Sequence, residues 1–137
     1  MRARLILSCF GLFWSGIALA GDAEKAVLDR WYTALGAVDR TAITGLLAEN
    51  AKITLGDLDI EQSKAEFVAS LDEWADAMKG SAIRHGIEKD EGGLMTAIVC
   101  YKFPDNESLT REVFAFEGGQ IKSSEQETVA DSCAEFP

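Results

Sequence analysis

The chain is short of the side chains that build metal centres and grip nucleic acids. Its 137 residues hold one His and three Cys, and 13 Lys and Arg face 23 Asp and Glu. The formal charge of −10 repels phosphates and anionic lipid heads, which argues against nucleic acid or a membrane surface as partner. There are no internal repeats, low-complexity tracts or linkers. Beyond residue 20 no apolar run approaches the roughly 20 residues that a membrane-spanning helix needs.

The N-terminus reads as a secretory signal peptide over residues 1–20. Arg2 and Arg4 make a short positive segment, an apolar run follows over residues 5–19, and Ala18-Leu19-Ala20 is a small-x-small cleavage site. The alternative, a membrane anchor, asks for a longer apolar run. Cleavage after Ala20 removes two Arg and Cys9, leaving 11 basic and 23 acidic side chains. The expected location is periplasmic or secreted, with no membrane contact after cleavage. What remains suffices for one domain with one core, residues 21–130, and a C-terminal tail, residues 131–137.

Cys100 and Cys133 are the thiols left in that chain. In an oxidising compartment two thiols usually pair. A bridge within the chain would tie the tail to the sheet and stabilise by about 3–4 kcal/mol on loop-entropy reasoning. Two unpaired thiols or a bridge between chains are the alternatives. Two Cys and one His do not complete a zinc set, so no metal and no cofactor is expected.

The longest apolar stretch past the leader is residues 94–103, LMTAIVCYKF. It is rich in β-branched and aromatic residues and hardly alternates, so it predicts a strand covered on both faces and central in its sheet. Residues 83–88, 109–116 and 121–129 predict further strands, joined to it by turns at 89–93, 104–107 and 117–119 into an antiparallel meander. Upstream, Val27, Trp31, Ala34, Leu35 and Val38 fall on one helical stripe behind a capping Asp22. Asp39 can cap a second helix with Ala42, Ile43, Leu46 and Leu47 on its apolar side. Residues 51–55 alternate as a short strand, and residues 58–60 suggest another. Ser63-Lys64-Ala65-Glu66 is a capping box that opens a third helix carrying Phe67, Val68, Leu71, Trp74, Ala75 and Met78, with Gly80 at its end. The fold class is α+β: a cone-shaped roll of three helices packed on a strongly curved, mostly antiparallel sheet.

Several stretches together resemble the nuclear transport factor two-like superfamily, in its polyketide-cyclase-like and ketosteroid isomerase-like branches. The stretches are residues 31–39 (WYTALGAVD), 46–53 (LLAENAKI), Arg84-His85 and 114–121 (FAFEGGQI). The resemblance covers nearly the whole cleaved chain and implies a cavity at the wide end of the cone. Isomerases of this kind use an Asp base on the first strand, with a Tyr on the first helix and a protonated Asp on a late strand as donors to an oxyanion. Aligned through Asp39, those positions fall on Leu55, Trp31 and Glu112. Leucine accepts no proton, so the isomerase base is missing. The fold itself does not choose a function.

Glu112 shares a strand face with Thr110, Phe114 and Phe116. If the rings point inward, so does the carboxyl, and burial should raise its pKa. His85 stands between Ile83 and Ile87. Glu112 and His85 are therefore the candidate acid/base residues, and Trp31, Tyr32, Leu55, His85, Tyr101, Glu112 and Phe114 the candidate ligand contacts. Three readings stay open. The first is an exported domain that binds a small apolar or amphipathic molecule. The second is an isomerase, cyclase or hydrolase that uses His85 or Glu112. The third is an interaction domain that forms a homodimer through its sheet.

Overall fold

A computed structural model describes residues 20–137. The leader expected over residues 1–20 lies, but for Ala20, outside the described residues. Helix α1, Ala20–Ala37, is already under way at Ala20, so Asp22 falls in its first turn rather than at its cap. A carboxylate still suits that end of the helix dipole. Val38 ends the helix at φ 54, a left-handed conformation unusual for a β-branched residue. Two bonds support it: Val38 N–H donates to Leu35 O at 3.2 Å and Asp39 N–H to Ala34 O at 2.9 Å. Asp39 then caps α2, Arg40–Leu46, by accepting from Ala42 N–H at 3.0 Å.

Leu47 was expected on α2. It instead opens β1, Leu47–Leu55, pairing with Ile121, while its carbonyl accepts from Lys64 Nζ and Gln120 Nε2. These partners lie far along the chain, and no local period reports them. A 3₁₀ turn, Gly56–Leu58, leads to β2, Ile60–Ser63, which starts where residues 58–60 were expected to end. The capping box forms as read: Glu66 N–H donates to Ser63 Oγ at 3.2 Å and Ser63 N–H to Glu66 Oε2 at 2.7 Å.

The helix after that box is two helices, α3, Lys64–Ala69, and α4, Leu71–Ala77, so the sheet carries four helices rather than three. Ser70 makes the break. Its N–H is shared by three carbonyls and its hydroxyl donates to Phe67 O at 2.6 Å, which tightens the turn. Trp74 Nε1 donates to Leu35 O at 2.9 Å, fixing α4 to the end of α1.

The meander stands as expected: β3, Ala82–Glu91; β4, Leu94–Lys102; β5, Glu107–Glu117; β6, Gln120–Ala130. The sheet order is β2-β1-β6-β5-β4-β3, antiparallel except where β1 joins β6. Register shifts interrupt the β1–β6, β3–β4 and β5–β6 ladders. Bulges of this kind bend strands and raise twist, and here the sheet curves without closing. Its concave face meets the helices in one core that includes Leu28, Ile43, Leu71, Met95, Phe114 and Ile121.

One expectation about β4 fails. The strand is covered on both faces, yet it lies next to the sheet edge, with only β3 beyond it. Met95, Ala97, Val99 and Tyr101 face the helices. On the other side Ile98 and Cys100 are buried by the tail. Cys100 and Cys133 form a disulfide within the chain, across a sequence separation of 33. Leu109 and Phe136 complete this outer cluster, and the Arg84 guanidinium lies 4.7 Å from the Phe136 ring centre. Burial of both faces therefore came from a disulfide-tied tail, not from a central position.

Candidate functional site

Glu112 points inward from β5 and is 3% exposed. Inward alternation sets Thr110 and Phe114 beside it on the same face. Three hydroxyls from three elements converge on its carboxyl. Tyr32 of α1 donates to Oε2 at 2.8 Å, Tyr101 of β4 donates to Oε1 at 2.6 Å, and Thr110 donates to Oε1 at 3.1 Å. Burial pushes the Glu112 pKa up, and the three hydroxyls pull it back part of the way. Burial and the neighbouring carboxylate hold both Tyr32 and Tyr101 well above the usual phenol range. Among the described residues no Lys or Arg pairs with the group. Arg111, one residue away, turns outward to Glu88 and Glu127.

His85 does not pair with Glu112 directly. Its ring stacks on Tyr32, 4.5 Å between centres, and its Nε2 lies 2.8 Å from Asp29 Oδ1. A carboxylate oxygen only accepts, so Nε2 carries the proton and donates it. Phe114 meets the Tyr32 ring edge-on at 6.2 Å. Tyr32 is thus held from both sides while its hydroxyl serves Glu112. Asp29 sits on the solvent side of α1, outside the apolar stripe, and nothing in the sequence pattern marked it.

Beside this cluster, a cavity of about 690 Å³ opens between the helices and the sheet. Of the expected contacts, Trp31, Leu55, Tyr101 and Glu112 line it. Tyr32, His85 and Phe114 do not: Phe114 is fully buried, and the other two are engaged behind the wall. Phe67, Trp74, Ser124 and Gln126 are wall residues that the sequence reading did not name. The two aromatics lie on the stripe read for the third helix, and the two polar residues follow from alternation once β6 is placed beside β5.

Leu55 pairs with Gln126, and no acid takes over its place on the wall. Asp57 is the nearest carboxylate in sequence, and its Oδ2 accepts from Thr128 N–H at 2.8 Å at the cavity mouth. A shallower depression of about 540 Å³ between α1 and α2 has no buried polar group in its lining, so it is the weaker candidate. Among the described residues no group of His, Cys, Asp and Glu is arranged to hold a metal ion. Among them, too, no helix is long and apolar enough to cross a membrane.

No protein-family model matches the chain, and no curated protein matches it in sequence. Solved structures do match in shape. An NTF2-like protein of unknown function from Burkholderia xenovorans LB400 is 16% identical, with 81% of this chain and 86% of that one covered, at a TM-score of 0.68. The fold is that of the nuclear transport factor two-like superfamily. Enzymes share this NTF2-like fold. SalBIII, an epoxide hydrolase/cyclase-like enzyme in pyran ring formation in polyether salinomycin, is 17% identical over 82% of this chain and 95% of that one, with a TM-score of 0.70. An LEH-like epoxide hydrolase from M. tuberculosis is 12% identical over 78% of this chain and 83% of that one, with a TM-score of 0.59. Identities this low establish the NTF2-like fold alone.

Proposed function

We propose that the protein is an exported binding domain for a small amphipathic molecule, taken up in the cavity between the helices and the sheet. The observation that carries this reading is the cavity itself. Its volume lies within the range of small-molecule sites, and its wall is mostly apolar with a few convergent polar groups. Trp31, Leu55, Phe67, Trp74, Tyr101 and Phe103 offer apolar surface, and Glu112 offers a fixed acceptor. Export is supported by the leader-like N-terminus and by the disulfide, which suits an oxidising compartment.

Glu112 serves better as an anchor than as a proton shuttle. Three hydroxyls hold it, and the other titratable side chains on the wall are Tyr101, already bonded to it, and Asp57 and Glu73, exposed at the mouth. The base position of the isomerases remains a leucine.

Trp31 and Trp74 on the wall make the test direct. Amphipathic probes should alter tryptophan emission saturably, and Leu55→Trp, which narrows the cavity, should weaken their binding. Binding that is unchanged in Leu55→Trp, or a probe series without any saturable response, would overturn the reading.

A further inference from the structure

The charges on the cavity wall are all of one sign. Asp57, Glu73 and Glu112 line it, and among the described residues no Lys, Arg or His does. Glu112 takes part in none of the ion pairs among the described residues, and its hydrogen-bond donors are three neutral hydroxyls. Burying a carboxylate without a counter-charge is costly, and hydroxyls offset only part of that cost. The inner wall also offers a second polar group. Ser124 is 5% exposed, lines the cavity, and its hydroxyl has no hydrogen-bond partner among the described residues. Ser124 pairs with Phe114 and Gln126 with Glu112, so Ser124 lies diagonally across the β5–β6 ladder from Glu112 on the same inner face. Five aromatic side chains, Trp31, Phe67, Trp74, Tyr101 and Phe103, line the same cavity.

We propose that the ligand is an apolar amine bound as its ammonium ion, with the charged head between Glu112 and the Ser124 hydroxyl and the apolar body against the aromatic wall. This rests on the binding reading above and specifies its chemistry. An ammonium has three donors and no acceptor, which matches a carboxylate oxygen and a serine oxygen. Aromatic rings tolerate a cation better than aliphatic ones do, because their faces carry partial negative charge. An anionic ligand would meet three carboxylates, and the negative charge of the whole chain would slow its approach while drawing cations in. Arrival of the ammonium supplies the charge that Glu112 lacks, so binding should drive off any proton that the carboxyl holds.

Three probes of one shape decide it: adamantylmethylamine, adamantylmethanol and adamantane carboxylate, titrated by calorimetry at neutral pH into the disulfide-bonded chain. The amine should bind at least about tenfold more tightly than the alcohol, as a charge-assisted bond exceeds a neutral one, and the carboxylate should not bind. In Glu112→Gln the amine should lose much more affinity than the alcohol, so that the preference between them disappears. Ser124→Ala, a smaller change that leaves Glu112 in place, should weaken the amine more than the alcohol. An alcohol that binds as tightly as the amine, or a preference that survives in Glu112→Gln, overturns the amine proposal and leaves the binding domain standing. Failure of all three probes to bind overturns the amine proposal, and the cavity reading falls with it if the tryptophan response to other amphipaths is also absent.

Discussion

On the outer face of β5, Arg111 donates to both carboxylate oxygens of Glu88 and reaches Glu127 at 3.6 Å, all within reach of water. One residue on, Glu112 turns into the interior and meets three neutral hydroxyls, with no Lys or Arg partner among the described residues. The two faces of this strand thus handle charge in opposite ways. Outside, opposite charges meet where water already screens them, so each pair contributes little. Inside, a lone carboxyl is held by precise neutral donors, where each lost bond costs more because water cannot replace it. The same contrast appears in packing. The inner face is sealed by helices, whereas the outer face of β4 is sealed by a tail that one disulfide holds in place.

The sharpest way to break the contrast is to empty the inner face. Phe114→Ala removes a fully buried ring between Tyr32 and Phe116 and should cost about 3–5 kcal/mol in urea unfolding. A loss below about 1 kcal/mol would mean that the core does not depend on this face. Next comes the outer seal. Cys100→Ser with Cys133→Ser should cost about 3–4 kcal/mol, and reductant should lower wild-type stability while leaving the double variant unchanged.

Tyr101→Phe removes one of two donors to Glu112 Oε1 and should cost about 1–3 kcal/mol. A pH series probes the same carboxyl without altering volume. Its pKa lies above the ordinary 4.5 in the folded chain because of burial, with Tyr32, Tyr101, Thr110 and, more distantly, His85 facing it. Between 4.5 and the raised value the folded state holds more proton than the unfolded one, so stability falls as pH rises. Glu112→Gln deletes that slope, and the wild type should gain on the variant as pH is lowered toward 4.5. A difference between the two that does not change with pH would show that Glu112 titrates alike in both states. The smallest effect belongs to the outer ion pair. Arg111→Gln should cost about 1 kcal/mol or less, and the cost should shrink further in high salt.

Local pattern carried much of this. Glu112 was legible as inward-facing on the condition that Phe114 and Phe116, which share its alternation, point inward, and a raised pKa followed from that condition. The capping box at Ser63 was legible because a short motif dictates its bonds, and the disulfide was one of three readings of the two cysteines. Tyr32 was placed on the cavity wall, and it instead buttresses the wall from behind, because its hydroxyl finds Glu112 eighty residues away. His85 likewise meets Asp29 across the α1–β3 interface, and a solvent-side Asp carries no periodic signal of such a partner. The break at Ser70 lies within an uninterrupted apolar stripe, and the shared Ser70 N–H and the hydroxyl bond to Phe67 O reveal it.

The sequence alone determined which residues alternate and which cap, since each depends on neighbours a few positions away. Tertiary structure decided which face of β4 is covered by what, which rings reach the void, and that a buried carboxyl stands among three hydroxyls. Those outcomes depend on strand register and on segments far apart in the chain, and a strand's side chains change faces with a shift of one residue.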